Sequence, residues 1–117
     1  MWIVEYYRTM DGECQTEDFL AGLEKISEIP FVSRKLALLE EYGNQLRRPN
    51  VENLGDGIYE LRIPVKRRQI RLLYFFFYQD SIVISHGLIK EDKVPQSEIN
   101  KAKRHRTDYF SKHKRTK

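Results

Sequence analysis

A chain of 117 residues with 40% apolar and 32% charged residues can bury one hydrophobic core and is too short for two domains. This composition excludes a disordered chain, and the longest apolar run, residues 72–78, falls well short of the roughly 18 residues of a membrane helix. The net charge of +4 is uneven: residues 1–56 hold six basic and eleven acidic side chains, residues 57–98 seven and five, and residues 99–117 eight and one, so one surface is suited to a polyanion.

Residues 2–8 (WIVEYYR) are aromatic and β-branched and predict a first strand. The opening residues lack a basic n-region and a small-residue cleavage site, so no secretory leader is expected. Asp11-Gly12 signals a turn, and Thr16 is expected to cap a helix whose first turn holds Glu17 and Asp18. Phe19, Leu20, Leu23 and Ile26 form its apolar stripe, and Ile29-Pro30 is expected to end it. Cys14 is the only cysteine, which rules out an internal disulfide and points to a reducing, cytoplasmic compartment.

A second helix is predicted from Ser33 or Phe31, with Leu36, Leu39 and Tyr42 on one stripe and Gly43-Asn44 as its stop. Residues 54–57 (LGDG) read as a turn, Ile58–Val65 as the second strand, residues 66–69 as a basic turn, residues 70–78 as a central third strand and Ser81–Ile89 as the fourth. Pro95 suits the first turn of a last helix, with Ile99, Ala102, Arg106, Tyr109 and Phe110 on its inner side. The expected fold is therefore α+β, in the order β-α-α-β-β-β-α. Its sheet is mostly antiparallel, a helical hairpin covers one face and the other face is partly open. One domain is expected over residues 1–117, with a basic C-terminal helix and tail at 95–117.

Strand parity places Tyr59, Leu61 and Ile63 on one face and Glu60 and Arg62 on the other. Arg71 can join Arg62 on the open face, and Lys66, Arg67 and Arg68 crowd the intervening turn. A basic residue within a sheet commonly pairs with a neighbouring acid, and Glu60 and Glu91 are both available. His86 closes the fourth strand, followed by Lys90 and Lys93. A lone strand histidine is more often structural than catalytic, and residues 75–78 are more often core than a base-stacking platform. The spacing of Cys and His offers no metal-ligand set, and the chain has no glycine-rich phosphate loop and no nucleophile elbow.

Three strings, LGDGIYELRI, RRQIRLLYFF and SHGLIKEDKVPQSEINKAKRH, resemble the phage-related HigB-like branch of the RelE/ParE toxin superfamily. The resemblance covers nearly the whole chain. It implies the toxin of a type II toxin–antitoxin system, a ribosome-dependent mRNA endoribonuclease that inhibits translation without metal or other cofactor. The reaction it implies is attack of a ribose 2′-OH on the adjacent phosphate. By position, the resemblance places Arg62, Arg71 and Lys90 in the catalytic set, and His86 joins it as a general-base candidate because an imidazole titrates near neutral pH. Lys66, Arg67, Arg68, Lys93, Lys101 and Arg104 then become RNA contacts. His105 and Tyr109 are the C-terminal candidates for a general base, and Glu60 stands where some relatives carry a lysine.

The implied partners are a helix-turn-helix antitoxin, the ribosome and mRNA, with no membrane and no small molecule. Arginine suits a phosphate site because its planar fork binds two oxygens and stays charged. Two other readings stay open: a ParE-like gyrase inhibitor and a non-catalytic RNA-binding relative.

Overall fold

The computed structural model describes residues 1–23 and 26–114, apart from the side chain of Ile26. The fold is α+β, and among the described residues it holds three α-helices and one five-stranded mixed sheet. The chain runs through β1 (Ile3–Tyr6), α1 (Gln15–Ala21), α2 (Ile29–Tyr42), β2 (Val51–Gly55), β3 (Ile58–Val65), β4 (Arg68–Phe77), β5 (Ser81–Ile89) and α3 (Gln96–Lys112). The strands lie in the order β1-β5-β4-β3-β2. β1 runs parallel to β5, and the other pairings are antiparallel.

The expected order holds, with one strand added. β2 occupies Val51–Gly55, the last two residues of which fall within the expected turn at 54–57. It is short, and Glu52, Asn53 and Gly55 are residue types that strands disfavour, so pairing with β3 makes it a strand. The turn narrows to Asp56 and Gly57, both at positive φ. The basic turn is likewise shorter than expected. Only Lys66 and Arg67 form it, and Arg68 and Gln69 already belong to β4.

The first helix differs in both its ends. Cys14, not Thr16, occupies the N-cap position, and Thr16 is buried in the first turn. The helix stops at Gly22, whose N–H bonds the Asp18 carbonyl, so Leu23 and Ile26 lie beyond it. Pro30 does not end this helix. It sits in the first turn of α2, where the missing N–H would have had no helical partner. Seven residues cannot hold a helix by propensity alone. Phe19 and Leu20 anchor α1 against the sheet, beside Gly87 of β5, where a Cβ would lie 2.4 Å from the Phe19 ring.

Each sheet face carries its own core. On the hairpin face, Leu61, Ile63, Ile70, Leu72, Tyr74, Ile82 and Ile84 pack with Val32 and Leu39 of α2. Tyr42, expected on the same stripe, is 44% exposed. On the opposite face, Ile58, Leu73, Phe75, Phe77 and Val83 pack with Ile99, Ala102 and Tyr109 of α3, leaving Phe110 at the rim. That face is therefore less open than expected, because α3 lies across β4 and β5 and reaches β3.

Gly43 ends α2 at φ 50° and ψ −121°, a conformation that side chains resist. A Cβ there would lie 2.0 to 2.4 Å from atoms of the Trp2 indole. Gly43→Ala is therefore expected to lower stability by about 1–3 kcal/mol through overpacking alone, seen as a lower urea midpoint. An unchanged midpoint would mean that Trp2 moves aside freely.

Candidate nucleic-acid interface

Cross-strand register brings Arg62 of β3 opposite Arg71 of β4, on the face that α3 covers in part. Both side chains converge there, as parity predicts, but they converge on a carboxylate. Glu60 accepts from Arg71 Nη1 at 2.8 and 2.7 Å and from Arg62 Nε at 2.9 Å. Arg71 also donates from Nε to the Lys90 carbonyl at 3.0 Å and from Nη2 to the Asp92 carbonyl at 2.8 Å. Its residue is 5% exposed, and Glu60 is 1% exposed.

Arg71, expected at a scissile phosphate, stands instead against Glu60 and two backbone carbonyls in this structure. Four hydrogen bonds already engage its guanidinium, and withdrawing it would leave Glu60 buried without its main partner. The possible partner Glu60, noted from parity, is the one the fold selects, because Glu60 and Arg71 are diagonal neighbours on one face. Glu91 is exposed and makes no ion pair with either arginine among the described residues.

Arg62 stays available. Its side chain is 31% exposed, and among the described residues its ion pairs are with Glu60 and, loosely at 3.5 Å, with Glu52. Lys66 and Arg67 stand exposed at the β3–β4 turn. Lys90 and Lys93 are exposed just past β5, and the Lys90 N–H bonds the Gln69 carbonyl at 3.1 Å. The start of β4 and the end of β5 lie together, so these four cations gather at one end of the sheet. Among the described residues none of the four makes an ion pair. Arg68 does not join them, because its guanidinium pairs with the buried Glu28.

His86 is separate from this rim. Pairing slips by one residue between Leu73–His86 and Tyr74–Ile84, leaving Ser85 as a bulge residue on β5. The bulge turns both Ser85 and His86 toward α3. His86 Nε2 lies 2.9 Å from Glu98, and its Nδ1 lies 2.8 Å from Ser85 Oγ, which is also 2.8 Å from His105 Nδ1. Burial, with help from Lys101, pushes the His86 pKa down to about 4 against the pull of Glu98. Burial and Lys101 also lower the pKa of His105.

Neutral His86 must donate from Nε2 to the Glu98 carboxylate. It then accepts the Ser85 hydroxyl at Nδ1, and His105 Nδ1–H donates to the Ser85 oxygen. At 2% exposure and with both nitrogens bonded, His86 lies inside this cluster and away from the cationic rim.

Other expectations on α3 divide similarly. Lys101 faces Glu98 at 3.6 Å and Gln15 at 3.4 Å, while Arg104 is exposed. Tyr109 is buried, and its hydroxyl donates to Glu5 at 2.6 Å. His105 stacks on Tyr7 at 4.2 Å between ring centroids. Burial and a 2.6 Å bond to Asp108 push the Tyr7 hydroxyl up to about 12. Sequence reasoning missed Ser85, Glu98 and the Tyr7–Asp108 pair. The recurrence of Glu98, Ala102, His105 and Tyr109 along one helix face was a readable signal for part of this cluster.

A family model described as phage-derived protein Gp49-like (DUF891) matches residues 18–107. The matched region includes Glu60, both arginines, the basic turn and the histidine cluster. No curated protein matches the chain. Because the match spans well over half of its residues, the chain belongs to the phage-derived Gp49-like family, a toxin-like family of the RelE type.

Proposed function

We propose that this protein is a HigB-like toxin of a toxin–antitoxin pair that acts on ribosome-bound mRNA through the cationic end of its sheet. The observation that carries this reading is the gathering of Lys66, Arg67, Lys90 and Lys93, exposed and without ion pairs among the described residues, beside the partly exposed Arg62. Family membership supports the toxin role and makes a helix-turn-helix antitoxin the natural partner.

In the proposed reaction a ribose 2′-oxygen forms a bond to the adjacent phosphorus. The bond to the 5′-oxygen breaks, giving a 2′,3′-cyclic phosphate and a 5′-hydroxyl end. Negative charge grows on the phosphoryl oxygens, so fixed cations stabilise the transition state more than the ground state. Arg62 and Lys90 are the groups assigned to that phosphate. Lys66, Arg67 and Lys93 hold the flanking backbone. The 2′-proton passes to solvent water, and water returns a proton to the departing 5′-oxygen, which leaves as the 5′-hydroxyl. Alignment of the 2′-OH by the ribosome is itself worth several kcal/mol.

Induction of the wild-type gene, with growth and transcript ends recorded, tests this directly. Codon-aligned cuts are expected. Double-strand DNA breaks without such cuts would replace the reading with gyrase inhibition. RNA binding without growth arrest would leave a non-catalytic module.

A second test isolates the rim. Lys66→Ala/Arg67→Ala should stay within about 1 kcal/mol of wild-type stability, since both sites are exposed. It should also reduce the salt slope of single-stranded RNA binding by about 1.4, at roughly 0.7 per lost phosphate contact. An unchanged slope would exclude the turn from the interface.

A further inference from the structure

Arg71 joins two parts of the cationic rim that the chain builds separately. Its Nη1 grips both oxygens of Glu60, and Glu60 in turn holds Arg62 by its Nε. The other side of the same guanidinium reaches the segment between β5 and α3, bonding the carbonyls of Lys90 and Asp92. Residues 90–93 form no helix or strand, and three of them are charged side chains in solvent next to Lys93. One backbone bond, from the Lys90 N–H to Gln69, continues the ladder to the first of them. Past that point Arg71 supplies the bond to Asp92 that ties the segment down before Val94 enters the α3 core.

We infer that Arg71 is a positioning residue: by bridging Glu60 to the Lys90 and Asp92 carbonyls, it sets where Lys90 and Lys93 stand relative to Arg62. Arginine is required because one planar group must reach a carboxylate and two carbonyls in three directions. A lysine ammonium on a single stem does not match that fork. The cations that meet RNA are then arranged by one that does not. This inference rests on the RNA-contact reading of the rim, and its test separates the two.

The test uses four variants of the full chain: Arg71→Lys, Lys90→Ala/Lys93→Ala, Glu60→Met/Arg71→Met, and Arg71→Lys added to Lys90→Ala/Lys93→Ala. The third is included because removing a buried ion pair together is far gentler than removing one partner. Trypsin cleavage after Lys90 and Lys93 reads the segment itself, independently of RNA. It should quicken at least tenfold in Arg71→Lys and in Glu60→Met/Arg71→Met, with the latter melting close to wild type. Single-stranded RNA affinity should fall about tenfold in both.

Adding Arg71→Lys to the Lys90→Ala/Lys93→Ala background should weaken binding little further, because the positioned groups are already gone. Full additivity there would overturn the inference and make Arg71 a direct contact. Wild-type cleavage rates in the folded Glu60→Met/Arg71→Met protein would also overturn it and leave Arg71 a stability residue only. Fast trypsin cleavage with unchanged RNA affinity would uphold the anchoring and refute the RNA role of the rim.

Discussion

Glu60→Ala is expected to destabilise the protein by about 3–5 kcal/mol, the usual cost of removing one partner of a buried ion pair. The carboxylate is the only acid within reach of the Arg71 guanidinium among the described ion pairs, and it also holds Arg62. Without it, Arg71 keeps its two carbonyl acceptors but remains a buried cation with no counter-charge. At roughly 4 °C per kcal/mol for a chain of this size, the melting temperature should fall by about 12–20 °C. Glu52→Ala provides the contrast. Its pairs with Arg48 and Arg62 lie at the surface, so the expected loss is within about 1 kcal/mol. Thermal unfolding followed by circular dichroism compares the two, and a drop below about 4 °C for Glu60→Ala would show that the pair does not hold the sheet.

Acid should weaken the fold through His86. Its pKa is near 6.5 in an unfolded chain and about 4 in the folded protein. Between those values the unfolded chain takes up a proton that the folded protein excludes, so stability falls as the pH drops from 6.5 toward 4. The shift corresponds to a loss on the order of 3 kcal/mol, fully regained above pH 6.5. His105, shifted in the same direction, adds to the loss. Both rings lie between the β5 bulge and α3, so protonation loosens the docking of that helix. Denaturant unfolding at stepped pH, for wild type and His86→Gln, isolates this contribution. The wild-type curve should lose the extra stability across the window, and the variant should be flatter. Parallel curves would mean that His86 is not buried neutral.

Much of the architecture was legible as pattern. The aromatic and β-branched run at residues 2–8, the alternation in residues 58–65 and the apolar run at residues 70–78 each overlap a strand. The stop at Gly43 was readable because a helix end commonly needs a residue free to adopt positive φ. β2 was not readable, since its polar residues become a strand only by bonding to β3. The two ends of α1 failed for a related reason. Pro30 is compatible with closing one helix or opening the next, and packing of Phe19 against the sheet decided which.

For the site, parity put Glu60 and Arg62 on one face and allowed Arg71 to join them, and charge counting located the basic turn. These are properties of single strands and of composition, which no partner element can alter. Whether a guanidinium on that face meets solvent or a carboxylate depends on three other things: register across two strands, a one-residue bulge in β5 and the helix laid over them. Those are long-range choices, made by burying apolar surface on both faces at once. They withdrew Arg71 and His86 into bonded clusters and left Lys66, Arg67, Lys90 and Lys93 exposed.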